Sequence, residues 1–160
     1  MGRKKAVYQS GHQSAVKAKQ IGSADLTGSS QDQHFRWDTS MLDVGVTDDA
    51  ACDWTWRLEP DDLKDLMQFL SDSSNRTWSE LEGDRTGNKV SHKKHHQHPV
   101  ANICNAARKR FLDEVGDESH DMLFRFRYGG TQRLWGLRDR AVFHIVWIDL
   151  NHKVYPTEPG

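Results

Sequence analysis

The stretch Leu123-Phe124-Arg125-Phe126-Arg127-Tyr128-Gly129-Gly130 decides the fold. Its apolar and basic residues alternate with the period of two that a strand imposes, so Phe124, Phe126 and Tyr128 share one face and Arg125 and Arg127 the other. Gly129-Gly130 offers the backbone freedom of a tight hairpin turn. Downstream, Gln132 to Leu137 predicts a second strand and Arg138-Asp139-Arg140 a tight connection. Ala141 to Asp149 predicts a third strand, whose continuous apolar run around His144 suits an interior position.

Working upstream from this meander, the period changes from two to that of a helix. Pro99 opens a predicted helix with Val100, Ile103, Cys104, Ala107, Phe111 and Val115 on one stripe, Arg108, Lys109 and Arg110 off it, and Gly116 as its stop. Gly83 to His98 is polar, basic and reads as a loop. Before it, Pro60-Asp61-Asp62 starts a helix with carboxylates where the helix dipole favours them, and Leu63, Leu66, Met67 and Leu70 follow at i, i+3, i+4 and i+7. Thr77 to Leu81 predicts a further short helical turn from a Thr or Ser cap. Trp54-Thr55-Trp56-Arg57-Leu58 alternates and predicts a first strand.

The expected fold is therefore α+β: an N-terminal strand, two helices and a three-stranded antiparallel meander, with the helices packed on one face of the sheet and the arginine face open. Residues 51–156 form the single domain. Residues 1–50, rich in Gly, Ser, Gln, Asp and Thr, read as a mobile N-terminal arm, in which Phe35, Trp37, Met41, Leu42 and Val44 could dock, and 157–160 as a tail. A chain of 160 residues, 36% of them hydrophobic, suits one core of ordinary size.

Net charge is −1, yet it is segregated: residues 1–20 hold five Lys/Arg and no acid, 37–66 hold nine acids against two basic residues, and 84–111 hold seven Lys/Arg and four His against Asp84. Such zones suit an anionic partner, and equally two solvated faces. No run approaches the roughly 20 apolar residues of a membrane span, which leads to the expectation of a soluble protein with no membrane partner. Cys52 and Cys104 lack CxxC spacing and no apolar leader precedes them. Free thiols in a reducing cytoplasm are the simpler expectation, a single disulfide the other.

Two clusters could carry chemistry. Arg125, Arg127 and, if the hairpin register permits, Arg133 project from adjacent strands, and guanidinium groups grip phosphate through paired hydrogen bonds while staying charged. Asn151-His152-Lys153-Val154-Tyr155 follows the last strand and holds three side chains able to donate or transfer a proton. Ser91-His92-Lys93-Lys94-His95-His96-Gln97-His98 is dense in imidazole, but its lysines repel a cation and no thiolate or carboxylate completes a set, so a basic RNA-facing loop or a solvated linker is favoured over a metal site. Trp54, Trp56, Trp135 and Trp147 lie on predicted strands and read as core.

The stretch from Phe124 to Leu134, followed by a hydrophobic strand and then His152-Lys153-Val154-Tyr155, resembles the C-terminal half of the RelE/ParE superfamily of bacterial toxins. The likeness covers about residues 54–155, and its specific part is 123–155. The resemblance implies a ribosome-dependent messenger-RNA endonuclease or a gyrase poison, paired with an antitoxin protein, cytoplasmic and needing no cofactor. In the nuclease branch it implies Arg125, Arg127 or Arg133 as phosphate ligands, His152 as acid or base, Tyr155 as the second proton-handling group and Lys153 as a charge donor. Lys93, Lys94 and Arg108 would extend the RNA-binding surface. The greater length, Trp135, Trp147 and the His-rich loop depart from the compact toxins. The competing expectation is a non-catalytic domain that binds nucleic acid or an acidic protein through Arg85 to Arg110. A metal-dependent protein using His92, His95, His96 and His98 is the third.

Overall fold

The computed structural model describes residues 29–45, 52–87, 89–116 and 119–156. They form a five-stranded sheet with elements on both faces and a small separate hairpin. The strands are β1 (Arg36–Asp38), β4 (His96–Pro99), β5 (Met122–Arg127), β6 (Arg133–Asp139) and β7 (Val142–Asp149), in the order β1-β7-β6-β5-β4. The meander β5-β6-β7 is antiparallel as the alternation requires, β4 adds an antiparallel edge, and β1 pairs parallel with β7. The hairpin joins β2 (Arg85–Thr86) to β3 (His92–Lys93).

Two core clusters lie on the two sides of the sheet. One gathers Phe124, Phe126, Leu134, Phe143, Ile145 and Ile148 against Leu66 and Leu70 of α1 (Pro60–Ser74) and Trp78 and Leu81 of α2 (Trp78–Glu82). Pro60 at the first turn starts α1, and a capping box closes α2, in which the Thr77 hydroxyl accepts from the Glu80 N–H while the Glu80 carboxylate accepts from the Thr77 N–H. The other cluster gathers Leu123, Trp135, Leu137, Val146 and Trp147 against Val100, Ile103, Ala107 and Phe111. Both faces are therefore covered. This corrects the expectation of helices on one face only.

Other expectations change with it. The predicted strand Trp54 to Leu58 does not form: Trp54 enters one cluster while Trp56 and Leu58 pack on the other, so the segment rounds the β7 edge, tied by the Thr55 N–H to the Ile148 carbonyl at 3.0 Å. Domain structure begins well before residue 51, because Phe35 is 1% exposed in the core and β1 belongs to the sheet; the rest of the arm, and the tail at 157–160, lie outside the described residues. The loop expected up to His98 instead holds β2, β3 and β4. The predicted helix after Pro99 has the expected buried stripe but is broken. A 3-10 turn (Val100–Asn102), α3 (Asn105–Arg110) and a π-helical turn (Phe111–Val115) follow one another. Cys52 and Cys104 form a disulfide, not free thiols. Among the described residues no helix is long and apolar enough to cross a membrane.

Register shifts at Trp135/Gly136, where β6 meets β7. A side chain at Gly136 would collide with the Phe143 ring and the His144 carbonyl, so the close approach there requires glycine. The bulge bends the central strands and brings both Val146 and Trp147 into the cluster beneath α3.

Candidate anion-binding site

Strand register assembles the arginines. Arg127 lies opposite Arg133, Arg133 opposite Asp149, and Arg125 between Trp135 on β6 and His96 on β4, and directly opposed residues share a sheet face. Arg125, Arg127 and Arg133 thus occupy one end of the face whose other end is sealed by Trp135, Trp147 and α3. Arg125 is 8% exposed and Arg133 5%, far from the solvent-facing positions that alternation suggests. The covering is local. Beyond Asp149 the chain turns back across the sheet, placing His152 by Arg125 on β5 and Tyr155 by His98 on β4.

Asp149 shapes this returning strap. It is fully buried, and its carboxylate accepts from the Lys153 N–H at 2.8 Å, the Val154 N–H at 2.9 Å and the Trp135 indole at 3.4 Å. Burial pushes its pKa up, against those donors. The tight turn sets His152 at φ 57°, a left-handed conformation that a residue with a side chain adopts at a cost of about 1–3 kcal/mol. Val154 is buried in the core, and its carbonyl accepts from the Cys104 N–H at 2.8 Å, so the strap is pinned at both ends.

None of the three guanidinium groups meets a carboxylate by hydrogen bond or ion pair among the described residues. Arg133 donates through Nη1 to the carbonyls of Gly129, Gly130 and Gln132 at 3.2, 3.0 and 2.9 Å, and Arg127 donates through Nε to Gly129 at 3.4 Å. The Nε groups of Arg125 and Arg133 are buried without a hydrogen-bond partner among the described residues. Burial and mutual repulsion lower both pKa values against the opposing pull of Asp149, that of Arg133 only to about 10, so the Arg133 charge persists at neutral pH.

Arg125 Nη1 lies 3.2 Å from His152 Nε2. A guanidinium only donates, so Nε2 accepts and the proton of the neutral ring sits on Nδ1. Burial, then Arg133, Arg125 and Arg127, push the His152 pKa down to about 4. The imidazole is therefore neutral at pH 7, and an anion among the arginines would raise its proton affinity by offsetting their charge.

The remaining sequence-predicted residues divide. Tyr155 joins the site through its ring, 4.2 Å from that of His98, and Lys153 contributes its backbone N–H to Asp149. Lys93 is exposed at the end of β3 and lines a concavity with His96. Lys94 belongs elsewhere, in a cavity of about 620 Å³ with Asp65, Asp72, Asp84, Tyr128 and Gln132. Arg108 is exposed on α3 and bonds Asn105. Sequence reasoning did not foresee Asp149, and it named His96 and His98 only as candidate metal ligands in a basic loop, not as neighbours of the arginines and the strap. The alternation His96-Gln97-His98 was the available signal for the two histidines. His95, between them and Lys94 in sequence, faces the opposite side. Its Nδ1 accepts from the Arg127 N–H at 3.2 Å and its Nε2 lies 3.5 Å from Asp84, so it braces the strand carrying the arginines.

Among the described residues no group of three or more His, Cys, Asp or Glu has the arrangement to hold a metal ion. No protein-family model, curated protein or solved structure matches the chain.

Proposed function

We propose that the chain is a RelE/ParE-like toxin that cuts messenger RNA, with single-stranded RNA as its substrate. The observation that carries this reading is the set of three arginines, two of them buried, gathered around a neutral His152, with no carboxylate in hydrogen-bond or ion-pair contact among the described residues and Asp149 offsetting part of the charge of Arg125 and Arg133. A phosphodiester satisfies that charge, and its developing dianionic phosphorane satisfies it better, which is the requirement for catalysis by preorganised electrostatics. Attack by the 2′-hydroxyl forms the O2′–P bond and breaks the P–O5′ bond, leaving a 2′,3′-cyclic phosphate and a 5′-hydroxyl. His152 takes part in the proton transfers that this exchange needs.

A cognate antitoxin would have to cover or distort the strap. Action on ribosome-bound messenger RNA implies the cytoplasm, whereas the Cys52–Cys104 bridge favours an oxidising compartment. Cleavage assayed with and without thiol reductant separates the two settings: activity that requires the bridge excludes a reducing one.

The test is incubation of the purified chain with synthetic RNA and with translating ribosomes, and identification of the product ends. Cyclic phosphate ends, lost in Arg133→Ala and His152→Ala, are expected, together with growth arrest on expression that these variants relieve. Salt-sensitive RNA binding without product, unchanged in those variants, would select the non-catalytic binding domain instead. DNA damage with intact transcripts would select the gyrase-poison branch.

A further inference from the structure

The arginine site has charge but no room. Cavities of about 320, 620, 310 and 290 Å³ open elsewhere, and Arg125, Arg127, Arg133 and His152 line none of these four. Arg125 and Arg133 are buried, so an anion reaches their guanidinium groups only if something over them moves. The strap is what lies over them, and its parts are held unequally.

On the far side of His152 the strap is fixed. Buried Asp149 accepts from the Lys153 and Val154 N–H groups, and the carbonyl of Val154, itself buried, accepts from the Cys104 N–H. On the near side the Leu150 carbonyl accepts from the Thr131 hydroxyl at 2.6 Å. Between these anchors His152 is half-buried at φ 57°, a conformation that is costly for a residue with a side chain and free for glycine. Its ring is held by Arg125 Nη1 at 3.2 Å. One hydrogen bond to a neutral acceptor thus keeps the tip in place over a strained backbone. A phosphate oxygen offers the same Nη1 a negative charge and a two-point grip on the guanidinium, which imidazole does not. The contact also engages the Nε2 lone pair, so the ring cannot take a proton on that nitrogen while it holds Arg125.

We propose that His152 is an autoinhibitory stand-in for the substrate phosphate: it occupies Arg125 in the free protein, and the incoming anion displaces it, with residues 151–152 swinging out between fixed anchors. Displacement uncovers the guanidinium groups and at the same step frees Nε2 for proton transfer. The site therefore becomes competent only with phosphate in it. This gate deepens the RNA-cleavage reading and rests on it for the identity of the anion.

Inorganic phosphate is the probe, and the sign of one change decides. If His152 bonded the anion, removing it would weaken binding; if it blocks the anion, removing it strengthens binding, because a closed state reduces apparent affinity by the fraction of molecules that are open. His152→Gly, which also relieves the left-handed backbone, is expected to bind phosphate about tenfold more tightly than wild type at pH 8, where the ring is neutral. Binding no tighter than wild type overturns the gate. In the unaltered protein, phosphate should shift the His152 Nε2 resonance, while the Lys153 and Val154 amides keep their protection from hydrogen exchange. A His152 resonance indifferent to bound phosphate, or loss of protection at those two amides, also overturns it. Tighter phosphate binding by His152→Gly beside a wild-type protein that cuts no RNA supports the gate and overturns the cleavage reading alone. A wild-type protein and a variant that both bind no phosphate overturn the two together.

Discussion

Arginines in two regions of this molecule are treated in opposite ways. Beneath and beside the helices, Arg76 meets Asp84 through two hydrogen bonds of 2.9 and 2.7 Å, Arg110 meets Asp43 through two of 2.9 and 2.8 Å, and Arg138 pairs with Glu82 while lying 3.9 Å over the Trp78 ring. At the strap end of the sheet, Arg125 and Arg133 are at least as buried but meet only carbonyls and an imidazole. Neutral acceptors orient a guanidinium without cancelling its charge. Asp149, the nearest carboxylate in the register, spends its oxygens on the strap's own N–H groups and Trp135. The contrast teaches that the first set serves the fold, while the second carries an electrostatic cost that Asp149 offsets in part and an incoming anion would relieve further.

The largest expected effect comes from removing that charge. Arg125→Met or Arg133→Met should lower RNA cleavage by about 100- to 1000-fold, the usual cost of losing one preorganised donor, while the urea unfolding midpoint stays level or rises because an unpaired buried charge has gone. A fall in stability comparable to that of a broken ion pair would make Arg133 a fold residue held by its three carbonyls, and the contrast would collapse.

Arg138 supplies the complementary case. Arg138→Ala strips Glu82 of its partner in a half-buried setting and uncovers the Trp78 ring, and should lower the unfolding free energy by about 2–3 kcal/mol. Initial rates of RNA cleavage, measured where the variant is still folded, should remain within about threefold of wild type.

Histidines sharpen the same division through pH. His95, His98 and His152 are all held near pKa 4, below the ordinary value of 6.5, with burial the largest cause in each. The unfolded chain therefore binds more protons than the folded one between about pH 4 and 6.5. Stability is fully present above that window and declines as pH falls through it. Saturating phosphate should raise the folded pKa values of His98 and His152 and flatten the decline, leaving the share due to His95, which faces the other side. Urea titrations at several pH values, with and without phosphate, check this; an unchanged slope would place all three histidines in the service of the fold.

Much of this was legible in the sequence where a single local rule governs. The alternation around Arg125 located β5, the period of Leu63, Leu66, Met67 and Leu70 located α1, and the Thr or Ser cap ahead of Leu81 marked α2. Burial of the arginines was not legible, because alternation separates faces but does not say what covers them, and the cover comes from a strap whose turn depends on Asp149. Likewise Trp54 and Trp56 alternate as a strand would, yet the chain crosses the sheet edge between them. His96-Gln97-His98 is polar enough to read as loop, and becomes a strand only through pairing with β5, a non-local contact. The disulfide joins residues 52 positions apart, a proximity that no spacing rule supplies.

The smallest expected effects belong to two basic residues that the charge pattern places near RNA but the fold does not place beside the arginines. Lys94 lies in the cavity next to Asp84 and Tyr128, and Arg108 is solvent-exposed on α3, bonded to Asn105. Each can add only screened, long-range attraction, which falls off over about 8–10 Å at physiological salt. Lys94→Ala and Arg108→Ala should therefore change phosphate affinity and cleavage by less than about threefold at 150 mM salt, with whatever effect remains vanishing as salt rises. A salt-resistant loss of tenfold or more in either variant would extend the anion site around the sheet edge, and the division between arginines of the fold and arginines of the site would have to be redrawn to include a second contact surface.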